Sequence, residues 1–246
     1  MKILAVDSTA AAASAAVAED EKTLAARYGD AGKTHSQVLL PMVLDACREA
    51  GIAPKDADIF AVTVGPGSFT GVRIGVSCVK GIAFGTEKAC VAVSTLEALA
   101  EGAGDFDGIL CPVMDARRNE VYNALFCREK GLLVRLCEDR ALSASALREE
   151  IRQKYVNVPI LLCGDGTAVA RSFLEGMADI ALRDTPERLL SVDAAAVARC
   201  AYRAVLRGDT VSDAALSPVY LRLPQAERER LEREKQKETS IEGEET

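Results

Sequence analysis

One stretch constrains this chain above all others: Gly65-Pro66-Gly67-Ser68-Phe69-Thr70-Gly71-Val72-Arg73-Ile74-Gly75. It follows the apolar, β-branched run Ile59-Phe60-Ala61-Val62-Thr63-Val64 and opens onto a segment without a strong breaker as far as Gly85. Strand, tight turn and helix are expected in that order. Glycines in such a turn serve either of two ends. They let a phosphate approach the backbone at a helix N-terminus, or they only let the turn close and its neighbours pack. The spacing matches neither the P-loop nor the dinucleotide fingerprint, which favours the structural reading.

The helix after the turn is apolar around most of its girth. Past its first turn the polar side chains are Arg73, Ser77 and Lys80, which at i, i+4 and i+7 form one narrow stripe. Val72, Val76 and Val79 make one row, and Gly71, Gly75 and Cys78 another. More than a single sheet is expected to cover such a helix, and Gly71 and Gly75, one turn apart, would let a second helix come close. An earlier helix has the same character. Thr34-His35-Ser36-Gln37 fits a capping box, the helix should run to about Ala50 before Gly51, and Val38 to Leu44 is unbroken apolar sequence. Pro41 should bend it.

The order of elements repeats. Strands are expected at 2–7, 11–18 and 22–28, then the helix from 35, the strand at 59–64, the helix at 69–85, a strand at 89–93 and a helix opened by the capping box Ser94-Thr95-Leu96-Glu97. Gly102 to Gly108 is small, acidic and turn-rich, a boundary by composition. Beyond it come a strand at 109–114 ending at Asp115, strands at 120–127 and 132–138 around the turn 128–131, and a helix from Ser143 to about Lys154. A strand at 158–163, the turn Gly164-Asp165-Gly166 and a helix at 167–177 complete the second set. Strand-strand-strand-helix-strand-helix thus occurs twice, each time after a strand that ends in aspartate, Asp7 or Asp115. Two α/β halves with mixed sheets are expected, 1–104 and 105–222. An alanine-rich helix at 193–206 is free to pack back on the first half, and 223–246 reads as a charged, solvated tail.

Composition closes several routes. The 246 residues carry a net charge of −7, so no basic nucleic-acid footprint exists. The eight cysteines include no C-x-x-C pair, and the lone histidine, His35, makes a zinc site improbable. No apolar run reaches the roughly 18 to 20 residues of a membrane span. Asp7 interrupts the N-terminal apolar run too early for a signal peptide, so a cytoplasmic protein without membrane partners is expected.

The glycine stretch, the duplicated order, the strand ending at Asp7 and Thr34-His35-Ser36-Gln37 with Leu39-Leu40-Pro41 together resemble the bacterial TsaB (YeaZ) family. Asp115-Ala116-Arg117-Arg118, Glu120-Val121-Tyr122 and Pro218-Val219-Tyr220-Leu221-Arg222 extend the resemblance to about residue 222. It implies an actin-like fold (ASKHA, ribonuclease H-like) of two related halves with mixed sheets flanked by helices. It also implies a non-catalytic dimerisation partner of TsaD, the transferase that makes threonylcarbamoyladenosine beside the tRNA anticodon. A TsaE-type ATPase joins that assembly, tRNA is met through the complex, and the protein alone pairs with itself. Pairing in this family uses the first two long helices. That marks His35, Val38, Leu39, Met42 and Val43, with Phe69, Thr70, Gly71, Val72, Arg73, Gly75, Val76 and Val79, as the candidate interface.

TsaD-like subunits hold a metal with a His-x-x-x-His pair. Here His35 is followed four residues on by Leu39, and one imidazole does not make that site. Local hydrogen bonding is the plainer role for His35. No metal and no cofactor are expected, with a nucleotide at a subunit junction left open. The turn after Asp7, Ser8-Thr9-Ala10-Ala11, lacks the glycine that a phosphate needs, so Asp7, Ser8, Thr9, Asp115, Gly164 and Gly166 read as remnants of a nucleotide site or as plain turns. Arg117 and Arg118 are candidates to meet an acidic partner or a tRNA phosphate, against two solvated arginines. The rival function is a free-standing ATPase or small-molecule kinase with Asp7 and Asp115 on magnesium. A metallopeptidase is argued against by the absence of His-Glu-x-x-His.

Overall fold

The computed structural model describes residues 1–29, 34–177, 179–183 and 185–222. The expected tail, 223–246, lies outside the described residues. The first sheet has β1 (Lys2–Asp7), β2 (Ala13–Glu19), β3 (Lys22–Gly29), β4 (Ile59–Gly65) and β5 (Ala89–Ser94), in the order β3-β2-β1-β4-β5. Within it β1 to β3 are antiparallel neighbours, and β1, β4 and β5 run parallel. Its helices are α1 (His35–Glu49), α2 (Phe69–Ala83) and α3 (Thr95–Gly102).

The second sheet repeats the scheme. It contains β6 (Ile109–Asp115), β7 (Glu120–Asn123), β8 (Phe126–Glu129), β9 (Leu132–Arg135), β10 (Arg140–Ser143), β11 (Pro159–Cys163) and β12 (Ala181–Arg183). Its order β10-β7-β6-β11-β12 is that of the first sheet, with β8 and β9 added as a hairpin beside β6. The helices α4 (Ala144–Lys154), α5 (Thr167–Leu174) and α6 (Ala194–Arg207) take the places of α1, α2 and α3. This duplicated, mixed-sheet order is an actin-like α/β fold.

Three clusters fill the layers, because alternate strand residues face opposite sides. Leu4, Val6, Phe60 and Val62 face α1 and α2, whereas Ile3, Ala5 and Ala61 face the layer that holds α3 and α6. Leu110 and Leu161 meet that middle layer from the second sheet, and Cys111, Val113, Ile160 and Leu162 face α4 and α5. The alanine-rich α6 lies on β1, β2 and β5 and against α3, where small side chains allow close approach. Its end is fastened by Glu101 of α3, only 4 % exposed, which is paired with Arg128, Arg199 and Arg203.

Several expected elements differ. The strand expected at 120–127 is broken between Asn123 and Phe126, although both parts keep one register against β6. Pro112 faces the gap and has no N–H to donate, and the buried Asn123 side chain donates to the Pro112 and Ala124 carbonyls. The short strands β10 and β12 were not expected, and α5 stops at Leu174 rather than 177. No helix among the described residues is long and apolar enough to cross a membrane.

Candidate functional site

The glycine stretch joins β4 to α2, with Ser68 as N-cap accepting a hydrogen bond from the Gly71 N–H at 3.2 Å. Each glycine is spent on the chain itself. A Cβ on Gly67 would lie 2.6 Å from the Thr9 carbonyl oxygen, and one on Gly71 would lie 2.0 Å from that of Ser8. A Cβ on Gly75 would meet Ser8 Oγ and Val62. The β1–β2 turn is therefore seated on the start of α2, and the Ser8 hydroxyl donates to the Gly71 carbonyl. The close approach that Gly71 and Gly75 permit is to the β1–β2 turn and to Val62 of β4.

Gly65 answers to a different neighbour. Its Cβ would stand 2.4 Å from the carbonyl oxygen of Val219, on a segment that returns after α6. This strap, residues 209–222, crosses the first half. Val211 exchanges backbone hydrogen bonds with Cys90, and Leu216 is buried beside α2. Lys80 Nζ donates to the Ala214 and Leu216 carbonyls, and the Val219 N–H donates to Val64. Arg73 Nε donates to Tyr220 Oη at 2.8 Å, its guanidinium carbon lies 3.9 Å from the Phe69 ring centre, and Tyr220 stacks on Phe69. Arg222 ends the strap on Glu120 of β7, in the second half. The polar stripe on α2 is thereby explained by its own chain: Arg73 and Lys80 hold the strap, and Ser77 stays exposed.

Under the strap lies a cleft of about 550 Å³ between the halves, lined by Thr9, Ser68, Asp115, Arg117, Asp165 and Tyr220 among others. Of the remnant residues Thr9 and Asp115 line this cleft, whereas Asp7, Ser8, Gly164 and Gly166 are not among its lining. Asp7 is fully buried, and burial pushes its carboxyl up to about 6 although Thr63 and Thr9 donate to it. Asp115 accepts from the Arg117 N–H and guanidinium. Asp165 accepts from the Asp115 N–H, and burial raises its pKa. Gly164 and Gly166 let the β11–α5 turn press on β6, since a Cβ on either would come within 2.7 Å of the Val113 or Met114 backbone. Arg117, Arg118 and Asn119 have φ of 67°, 56° and 60°, a left-handed run that costs side-chain-bearing residues energy. It turns the exposed Arg117 to the cleft mouth.

Metal chemistry does not fit these residues. His35 Nε2 contacts the Ala11 carbonyl at 3.0 Å, a long-range tie rather than the expected local one. Leu39, where the second histidine of the metal pair would stand, points into the core. Among the described residues no cluster of three His, Cys, Asp or Glu side chains could hold an ion.

The expected interface residues divide by face. Leu39 and Val43 of α1, and Gly71, Val72, Gly75, Val76 and Val79 of α2, are buried within the chain itself. The cover expected beyond the sheet comes in part from this chain, since the strap packs on α2 through Leu216 and the Lys80 hydrogen bonds. His35, Val38, Met42 and Phe69 are half-buried, and Thr70 and Arg73 are exposed. The residues that face outward were missed: Leu40 at 47 % and Leu44 at 43 % exposure, with half-exposed Ile74 and Cys78. The helical period does contain them, since Ile74 and Cys78 lie opposite the Val72–Val76–Val79 row. Leu40, Ile74, Cys78 and Phe69 line a shallow groove of about 580 Å³ between α1 and α2, with His35 and Arg73 at its edge.

Comparison with known proteins agrees with this architecture. The family model described as TsaD, tRNA N6-adenosine threonylcarbamoyltransferase, matches residues 14–228. A tRNA threonylcarbamoyladenosine biosynthesis protein TsaB of Bacillus subtilis is 33% identical over 71% of this chain and 76% of its own. The protein of the same name from Haemophilus influenzae is 31% identical over 90% of this chain and 94% of its own. A solved Pseudomonas aeruginosa structure, described as an uncharacterized protein with similarity to peptidase YEAZ, superposes with a TM-score of 0.75 at 29% identity, covering 90% of this chain and 99% of that one. With its fold, its spent glycine turn and these relatives taken together, the chain belongs to the TsaB (YeaZ) family of tRNA threonylcarbamoyladenosine biosynthesis proteins.

Proposed function

We propose that this protein is a non-catalytic scaffold subunit that binds and activates a TsaD-type threonylcarbamoyl transferase, for formation of threonylcarbamoyladenosine next to the tRNA anticodon. One observation carries the reading: an apolar groove between α1 and α2 faces outward, while the polar groups around the inter-half cleft are engaged with the chain itself. The halves 1–104 and 105–222 then serve as a body that presents α1 and α2, and the partner's matching helices cover Leu40, Leu44, Ile74 and Cys78. Without the transferase a second copy takes the same face. A TsaE-type ATPase joins the assembled pair, and tRNA is reached through the complex, in the cytoplasm.

Peptidase chemistry finds little support, since the lone imidazole is tied to the Ala11 carbonyl. Reconstituted tRNA modification, run with the transferase alone and with this protein added, tests the role. Modification should depend on this protein, and Leu40→Glu with Ile74→Glu should abolish both co-elution and stimulation while the circular dichroism stays unchanged. Full stimulation by that double variant would remove the interface. Calorimetry with ATP and magnesium tests the rival kinase reading, which would require tight binding lost in Asp7→Ala.

A further inference from the structure

Phe69, Arg73 and Tyr220 form the wall between two spaces. Phe69 lines both the α1/α2 groove and the inter-half cleft, Arg73 lines the groove, and Tyr220 lines the cleft. The three are in contact through the ring stack, the guanidinium over Phe69 and the Arg73–Tyr220 hydrogen bond. Whatever fills the groove therefore touches the side chains that hold the strap.

Chemistry gives that contact a direction. Arg73 is exposed, and its hydrogen-bond partner among the described residues is the neutral hydroxyl of Tyr220. A charge-assisted guanidinium–carboxylate bond is about twice as strong as one to a neutral oxygen, and the groove pairs the apolar Leu40, Phe69, Ile74 and Cys78 with a rim of Ser36, Thr70 and Ser77 that carries no acidic group, so an acidic side chain at the margin of an apolar helix complements it. Between Ser212 and Arg222 the strap forms neither helix nor strand. Its far end is held by the Val219 N–H on Val64, the Tyr220 cluster and the Arg222–Glu120 pair. Removing one of so few fastenings has a large effect on local opening.

We infer that a partner in the α1/α2 groove takes Arg73 away from Tyr220 with a carboxylate, so that docking loosens the strap over the cleft and a loosened strap favours docking. The coupling rests on the scaffold reading above, and linkage makes it reciprocal. The test titrates the TsaD-type subunit into the full chain, with hydrogen exchange followed at the Val219 amide. Exchange at Val219 should speed up about tenfold in the complex. Arg222→Ala cuts the strap's last fastening away from the groove, and should tighten partner binding about fivefold. Tyr220→Phe, which keeps the ring stack and drops the hydroxyl, should shift affinity the same way and guards against a folding defect in the first variant. If the partner does not bind the unaltered protein, the scaffold reading fails and the coupling with it. If it binds, but Val219 stays protected or both variants bind no tighter, the coupling alone is overturned.

Discussion

Replacing Asp7 by asparagine isolates the cost of an ionised carboxylate in the interior of the first half. Asp7 Oδ1 accepts from Thr63 Oγ1, Thr9 Oγ1 and the Thr9 N–H, while Oδ2 meets no donor among the described residues. Burial raises the pKa from 3.8 to about 6, and those three hydrogen bonds pull it back only in part. A carboxyl group whose folded pKa lies above its unfolded value binds its proton more tightly when folded. Its contribution is fully present below the unfolded value and is lost as pH rises through the folded one. The gap of about two units corresponds to about 3 kcal/mol. Asparagine keeps the Oδ1 acceptor and does not ionise, so between about pH 3 and about pH 8 the unaltered protein should lose about 3 kcal/mol relative to Asp7→Asn. Urea denaturation of both proteins across that interval measures the difference, because groups remote from Asp7 titrate alike and cancel. Parallel profiles would refute the reasoning: the carboxylate would then be as well solvated inside the fold as in water.

Other parts of the structure yield sharper mutational outcomes. Glu101→Gln removes the counter-charge of Arg128, Arg199 and Arg203, and should destabilise the fold by about 3 to 5 kcal/mol in thermal or urea unfolding. Burial alone would raise the pKa of Glu101, but the Arg203 hydrogen bond and the neighbouring arginine charges outweigh it and leave it below the usual carboxylate value. Its stabilisation should hold above the unfolded pKa and vanish as pH falls through the lowered folded one, so the deficit of Glu101→Gln should shrink in acid. Gly71→Ala should cost about 1 to 3 kcal/mol, as its Cβ would press on the Ser8 backbone; an unchanged melting temperature would contradict the packing account of the glycine turn. Leu44→Glu, on the outward face of α1, should leave stability within about 0.5 kcal/mol of the parent yet weaken partner binding in gel filtration.

Much of the architecture is legible locally. Strand runs end at Asp7 and Asp115, capping residues Thr34, Ser94 and Ser143 open α1, α3 and α4, and the order of elements repeats, since each depends on residues within a few positions of one another. The duplication survives even the insertion of β8 and β9, because the flanking strands keep their pattern. Composition also argued against a zinc site on the usual His and Cys spacings and against a membrane helix, because the chain has one histidine, no C-x-x-C pair and no long apolar run.

What faces what was a matter for the tertiary structure. An all-apolar α2 looks the same in sequence whether a partner molecule or its own sheet covers it, and only the fold puts Val72, Val76 and Val79 on β4 and turns Ile74 and Cys78 outward. Gly65 reads as a turn residue until the Val219 carbonyl is found against it. Arg73 and Tyr220 are 147 positions apart, and no periodicity joins them. Local pattern sets elements because backbone conformation is decided by near neighbours; contacts between distant segments arise only when the layers pack, and those contacts determine which residues are left for a partner.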